Sequence, residues 1–422
     1  MLGRLRSNVF QRVARALQWY VRAQPRPKDQ TGAEKRVFIL LMSAWGMGGT
    51  IRTILNMAGH LASRGYEVEI LSIGRGRDEP FFGDFPEGVK VTVLDDKRAD
   101  HRPSLLHPIR RALRKRSSVL INPEDRAARG FNLWVDWQVA KRLRRKCGFL
   151  VGTRPGLNLL AVRLAPPGMV LVGQEHMHLE QHPEPVQDAI ERRYRKLAAL
   201  AVLTERDRRR YRKLLPNRVP VVRIPNTVRD LGGVRPDLDA KRVLAAGRLG
   251  RQKGYDRLIK TWEIVARTHP DWELRICGEG RWRAKLEAMI EKRDLGNVIT
   301  LAEPAKDMGA EMAGASIYVL SSRWEGLPLV LLEAMSVGMG VVSFDCPTGP
   351  REVIVDRENG LLVRPRKIAV LAAALVEMMD DEDLRRRCAE GAIETARGYS
   401  MEAVGPQWEA FLRDAWDRHA AA

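Results

Sequence analysis

The chain has 422 residues, 45% of them hydrophobic and 29% charged, so it can form two or three globular domains and does not have a disordered composition. A formal net charge of +20 favours an anionic partner such as nucleic acid, lipid or a phosphorylated substrate. No run is long and apolar enough to span a membrane, and the four cysteines have neither disulfide-framework nor zinc-ribbon spacing, so we expect a cytoplasmic protein.

The first 30 residues are a basic leader. Its apolar residues recur at three- and four-residue steps between arginines: Leu2, Leu5, Val9, Val13, Leu17 and Tyr20. This spacing predicts a helix with one apolar face flanked by cations, which suits an anionic membrane surface. The alternatives are a helix docked on the protein's own core and a mitochondrial-type targeting segment. We prefer membrane docking, which would make the protein peripheral on the inner face of the cell membrane.

An N-terminal α/β domain is predicted over 35–225. An apolar strand at 37–42 leads through a glycine turn into an amphipathic helix, and a second strand follows at about 67–73. Gly48 and Gly49 lie in the turn, where a backbone without side chains allows a diphosphate to approach the N–H groups of the helix. A tight turn chosen for steric reasons explains the same glycines.

A proline- and glycine-rich stretch at about 215–240 predicts a linker, followed by a C-terminal domain over 240–398 and a last helix over 399–422. In the C-terminal domain, strands near 242–247, 272–277, 298–301, 316–321, 341–344 and 361–364 alternate with helices near 254–268, 281–293, 327–337 and 367–379. This order predicts a second doubly wound sheet, with ligands bound beyond the carboxyl ends of its strands.

Two pairs of charged residues lie in that region. Arg248 and Lys253 follow the first strand, where fixed cations would stabilise a departing diphosphate, although solvated surface charge is the simpler explanation. Glu325 and Glu333 flank an apolar run that starts a helix with proline in its first turn. One carboxylate could bind a sugar and the other a ribose, and the alternatives are a helix cap for Glu325 and a salt bridge for Glu333.

These residues resemble the family-four retaining glycosyltransferases. Glu325 to Glu333 match the E-x7-E motif, and Gly247-Arg248-Leu249 with Gln252-Lys253-Gly254, Gly278-Glu279-Gly280 and Glu358 to Val363 follow the family's order. The resemblance implies the GT-B fold, in which two Rossmann-like doubly wound domains face an interdomain cleft. Ala302 stands where a glycine is common in the family, and Glu303-Pro304 after it is atypical, which leaves the base open.

The resemblance implies a hexosyltransferase that uses a nucleotide diphosphate sugar, UDP-sugar by default, and acts with retention in cell-envelope or polysaccharide synthesis. Arg248 and Lys253 would bind the diphosphate together with Gly48 and Gly49. Glu333 would bind the ribose, and Glu325 with the backbone of Gly326 and Leu327 would bind the transferred sugar. Gly278 is a further donor-binding residue in this assignment. The acceptor would be a glycan or a lipid-linked molecule.

Glu175-His176 follows an apolar strand at 169–172, and family members place a histidine near the sugar or acceptor in a similar position. His176 is therefore the predicted contact to acceptor or sugar. A plain surface loop is the main alternative, and a zinc site with His178 and His182 is a remote one. We expect no cofactor and no metal, since no Asp-x-Asp motif stands in a suitable place.

Two other classes of protein compete with this interpretation. A glycoside hydrolase needs two carboxylates roughly 5–10 Å apart, whereas eight residues of helix would separate Glu325 from Glu333 by about 12 Å. A basic nucleic-acid-binding protein would explain the charge but leaves the second-domain motifs unexplained, and no aromatic-basic RNA motif is visible. We therefore expect no nucleic-acid partner.

Overall fold

The computed structural model describes residues 2–23, 25, 30–98, 107–231 and 233–421, with side chains from residue 11 onward except that of residue 107. The chain forms two compact units. Unit 1 comprises Met1–Ile224 and Gly405–Ala422, and unit 2 comprises Pro225–Val404.

Unit 1 is built on a seven-stranded parallel sheet with strand order β3-β2-β1-β4-β5-β6-β7. Both faces are covered by helices, so the strands are almost continuous apolar runs, and every residue of β4 is buried. The strands are β1 Arg36–Leu41, β2 Glu67–Ser72, β3 Val89–Val93, β4 Gly148–Gly152, β5 Met169–Glu175, β6 Ala199–Val202 and β7 Val221–Arg223.

Two helices of unit 1 begin at residues whose side chains cap them. The side chain of Asn132 accepts a hydrogen bond from the backbone N–H of Val135, and Thr204 does the same for Asp207. The helices are α1 Leu2–Arg22, α2 Gly49–Ser63, α3 His107–Arg114, α4 Leu133–Leu143, α5 Pro155–Leu164, α6 Glu184–Arg193 and α7 Glu205–Leu214.

The leader is helical, as its periodicity predicts. Val21 is fully buried in the unit 1 core, and Leu17 and Tyr20 pack against it. The guanidinium of Arg144 lies 4.6 Å from the centroid of the Tyr20 ring. A lipid-facing role is therefore wrong for Leu17 and Tyr20, because both side chains are partly buried against the protein's own core. The alternative of docking on the protein's own core holds for this part of α1.

Unit 2 contains a six-stranded parallel sheet with strand order β10-β9-β8-β11-β12-β13. Its strands are β8 Arg242–Ala246, β9 Glu273–Cys277, β10 Ile299–Ala302, β11 Ile317–Leu320, β12 Gly340–Phe344 and β13 Leu361–Val363. Its helices, with the C-terminal helix, are α8 Tyr255–Val265, α9 Arg283–Glu291, α10 Met308–Ala313, α11 Leu329–Val337, α12 Pro350–Val353, α13 Ile368–Asp380, α14 Glu382–Arg397 and α15 Met401–Ala420.

The predicted fold class is confirmed: two doubly wound α/β sheets follow one another along the chain. Strands and covering helices build two hydrophobic clusters in unit 1 and a large one in unit 2, where Trp262 is fully buried. Helix α15 starts in unit 2, and from Gly405 it belongs to unit 1. Within the described part of the chain, no helix is both long enough and apolar enough to cross a membrane.

Candidate functional site

The strand order of unit 2 creates a crevice at one point of its sheet. Strands β8 and β11 are neighbours, and the chain adds strands in opposite directions on either side of them. In open parallel sheets ligands bind at the carboxyl ends of the strands at such a switch point. The loops that leave β8 and β11 contain Arg248, Lys253 and Glu325, so three predicted site residues lie at this crevice.

Lys253 and Glu325 form an ion pair across the switch point. The Nζ of Lys253 lies 2.8 Å from the Oε1 of Glu325, and the two side chains are only 17% and 7% exposed. The Ser322 hydroxyl donates a hydrogen bond of 2.6 Å to the same carboxylate oxygen. Gln252 donates a longer one, 3.4 Å, to Oε2. The carboxylate therefore holds the ammonium in one position in a poorly solvated place.

Glycines bring these loops into contact with one another. Gly254 has a φ of 71°, and a Cβ there would collide with the carbonyl oxygen of Ser321. A Cβ on Gly278 would likewise collide with the carbonyl oxygen of Gly247. A residue with a side chain would push the loops apart. The structure thus gives Gly278 a packing role that fixes the loop carrying Arg248.

Arg248 differs from Lys253 in its surroundings. It is exposed at the end of β8, and no hydrogen bond or ion pair joins its side chain to another residue of the described chain. A cation held at a strand's carboxyl end without a carboxylate partner is available to an anionic ligand. The site therefore has one paired and one unpaired positive charge.

The structure corrects the predicted position of helix α11. Pro328 is the N-cap and the first helical residue is Leu329, so Glu325, Gly326 and Leu327 belong to the preceding loop. The helical spacing assumed between Glu325 and Glu333 is therefore wrong, because the proline ends the loop and is not inside the first turn. Glu333 lies in α11 and is buried.

The loop after β12 holds the backbone of Glu325, which the sequence did not reveal. The N–H of Glu325 donates to the carbonyl oxygen of Pro347 at 2.8 Å, and the N–H of Thr348 donates back to the carbonyl oxygen of Glu325 at 3.0 Å. The Thr348 hydroxyl donates to the same oxygen at 3.1 Å. The turn-forming segment of Cys346 to Gly349 thus positions Glu325.

In unit 1, Gly48 is the N-cap of α2 and Gly49 is its first residue. A Cβ on Gly48 would have no heavy atom within 4 Å, and its φ of 161° is extended backbone that any residue adopts. Sterics within the protein therefore do not require glycine at this position. The open space beside it, at a helix N-terminus, suits the approach of an anion.

His176 follows the last residue of β5 and is half-buried, with its Nε2 3.2 Å from the Oε1 of Gln174. Its neighbour Glu175 is buried and accepts a hydrogen bond of 2.9 Å from Asn158 and another from the Tyr194 hydroxyl. Burial raises the pKa of Glu175 to about 8. This buried network anchors the end of the strand that carries His176.

The zinc alternative has no support in the described residues, where no group of three or more His, Cys, Asp or Glu side chains could hold a metal ion. His182 has its Nε2 3.8 Å from the Oε2 of Glu175, and burial lowers its pKa to about 4. The two groups are held in their uncharged forms near neutral pH.

Comparison with solved structures identifies the fold. The crystal structure of a mutant of S. aureus TarM in complex with Fondaparinux, alpha-GlcNAc-glycerol and UDP has a TM-score of 0.72 to this chain at 17% identity, and the match covers 90% of this chain and 99% of that chain. The shared architecture is the GT-B fold of glycosyltransferases.

Sequence relatives define the family. The family described as glycosyl transferases group 1 matches residues 233–395. An alpha-D-kanosaminyltransferase of Streptomyces kanamyceticus is 30% identical over 324 residues, which cover 68% of this chain and 82% of that protein. The chain belongs to the glycosyl transferases group 1 family. An exopolysaccharide phosphotransferase of Streptomyces coelicolor is 33% identical over 381 residues, 88% of this chain, but the chain spans only 40% of that protein's length.

Proposed function

We propose that this chain moves a hexose from a nucleotide diphosphate sugar, UDP-sugar by default, to a glycan or lipid-linked acceptor with retention of configuration. The observation that carries the proposal is the arrangement of Arg248, Lys253 and Glu325 at the switch point of unit 2. The UDP in TarM and the exopolysaccharide role of the S. coelicolor relative support the donor class and the pathway.

In the proposed reaction the bond between the anomeric carbon and the diphosphate breaks, and the acceptor oxygen bonds to the same face of that carbon. Negative charge then grows on the diphosphate, where Arg248 and Lys253 stabilise it more in the transition state than in the ground state. The acceptor proton goes to an oxygen of the departing phosphate. The cations replace the charge that a divalent metal would supply, so we propose a metal-independent enzyme.

The remaining residues position the donor and acceptor. Glu325, with the backbone N–H groups of Gly326 and Leu327, binds hydroxyls of the transferred sugar, and Glu333 binds the ribose. The Glu325 carboxylate has a second task, since it holds Lys253. In unit 1, His176 is the proposed contact to acceptor or sugar. The glycine turn at Gly48 and Gly49, which is open beside Gly48, is a proposed phosphate contact.

The test is release of nucleotide from uridine, guanosine and adenosine diphosphate sugars by the purified chain, with Glu325→Gln as control. We expect one donor class to stabilise the protein thermally and to release nucleoside diphosphate. If no donor is bound or cleaved, the proposal fails. Release of nucleoside monophosphate would instead establish transfer of a sugar phosphate, the second candidate, which the name of the S. coelicolor relative favours.

A further inference from the structure

Unit 1 contains a cavity at the end of its sheet where the strands begin. The cavity has a volume of about 550 Å³ and opens where β5 and β6 start, beside Met169 and Ala198. His176, the proposed acceptor contact, follows the carboxyl end of β5, so the cavity lies at the opposite end of that strand. No residue of the proposed reaction lines it.

The rim of this cavity is strongly positive. Four cations line it: Arg22, Lys196, Arg218 and Arg418. No Asp or Glu is among its described lining residues, and none of the four forms an ion pair with a described carboxylate. Many other arginines of the chain are paired, for example Arg98 with Asp96. Four unpaired cations around one cavity repel one another unless an anion binds between them.

The cavity is also partly apolar and lies next to an exposed tryptophan. Pro166, Leu171 and Leu197 contribute to its wall. The Arg22 guanidinium donates a hydrogen bond of 2.8 Å to the Val162 carbonyl, which fixes the end of α1 at the rim. Trp19, one turn earlier on the same side of α1, is 71% exposed. Tryptophan is enriched where proteins meet the membrane–water interface.

We propose that this cavity binds the phosphate head group of an anionic phospholipid, with Trp19 inserted beside it at the membrane surface. A phosphate linked to an apolar body matches both the charge and the wall of the cavity. Another cavity of unit 1, of about 500 Å³, is also lined by two arginines, Arg163 and Arg193, and by no described Asp or Glu. This contact is separate from the transfer reaction and does not depend on it.

The experiment uses the full chain and vesicles of zwitterionic lipid with rising fractions of phosphatidylglycerol. The variant Lys196→Ala with Arg218→Ala is compared with Lys260→Ala with Arg267→Ala, which removes two exposed, unpaired cations of unit 2. We expect the first variant to lose about thirtyfold in partitioning to anionic vesicles, and the control to lose far less. Brominated lipid should quench the tryptophan fluorescence of the unmodified protein more strongly than that of the Trp19→Phe variant.

Nucleotide release from soluble donor should be unchanged in both double variants, so a failure here is distinct from a failure of the proposed function. Equal vesicle binding by the two double variants would overturn the inference. Binding of inorganic phosphate at the cavity without vesicle binding would also overturn it. So would binding of duplex DNA that is lost in the Lys196→Ala with Arg218→Ala variant while vesicle binding is not.

Discussion

Replacement of the two proposed diphosphate-binding cations by alanine should have the same effect on catalysis and different effects on stability. Arg248→Ala removes an exposed side chain without a partner in the described chain. Lys253→Ala removes the counter-charge of a carboxylate that is only 7% exposed. The comparison therefore separates the chemistry from the structural role of the ion pair.

The expected magnitudes follow from burial. Loss of one partner of a fully buried pair costs about 3–5 kcal/mol. Lys253 is 17% exposed and Glu325 keeps its bonds to Ser322 and Gln252, so we expect about 2 kcal/mol for Lys253→Ala. Arg248→Ala should stay within about 0.5 kcal/mol of the parent. For nucleotide release, each variant should lose about 3 kcal/mol of transition-state stabilisation, which is over a hundredfold in kcat.

Urea unfolding gives the stabilities, and steady-state release of nucleoside diphosphate gives kcat and KM for the donor. The variant Lys253→Met serves as a control, because it keeps most of the length of the side chain while removing its charge. The reasoning is refuted if Arg248→Ala retains most of the parent's turnover, or if Arg248→Ala loses as much stability as Lys253→Ala.

Further outcomes are expected for four other perturbations. Glu325→Gln should reduce transfer while nucleoside diphosphate still binds, measured by calorimetry; an equal loss of nucleotide affinity would contradict the sugar assignment. Gly48→Ala should leave the melting temperature unchanged, because a Cβ meets nothing within 4 Å, yet raise KM for the donor; unchanged kinetics would remove Gly48 from the site. Burial raises the pKa of Glu175 from 4.5 to about 8, so its contribution to the free energy of unfolding should fall by up to about 1.4 kcal/mol per pH unit as pH rises from 4.5 to 8. Burial lowers the pKa of His182 from 6.5 to about 4, and this group offsets the fall below pH 6.5. Urea unfolding should therefore show a net loss of stability between pH 6.5 and 8, and Glu175→Gln should abolish it. EDTA should leave turnover unchanged, and restoration of lost activity by magnesium or manganese would disprove the metal-free reaction.

The sequence predicted the strands of unit 2 and its helices α8, α9, α11 and α13 to within a few residues, because apolar periodicity is strong over several turns. It missed α10 and α12, which have six and four residues and are too short for periodicity to appear. It also missed α14, a helix of 16 residues. It also placed Arg248, Lys253 and Glu325 after strands, where the structure finds them. The ion pair itself joins residues 72 positions apart, and this contact depends on strand order, which local patterns do not contain.

The leader shows a second limit. Its three- and four-residue spacing defines an apolar face but not what covers that face, since a membrane and the protein's own core exclude water equally well. Leu17 and Tyr20 pack on the core because α4 and α5 present apolar surface to α1. The sequence did not reveal the positive cavity for a similar reason. Its residues Arg22, Lys196 and Arg218 come from segments that are far apart in sequence and meet only in the fold.

The division of the chain has a consequence for the order in which a ribosome produces the fold. Unit 1 needs Gly405 and the residues after it: Glu409 lies 3.0 Å from His60, and the Trp416 ring packs 5.5 Å from Phe149. All of unit 2 is synthesised before these residues, so it can fold first, whereas domains of a growing chain generally fold from the N-terminus. During translation, we therefore expect the surface of unit 1 around Phe149 to stay uncovered until residues 405–421 emerge. A nascent chain arrested before Gly405 should therefore engage chaperones through its first half.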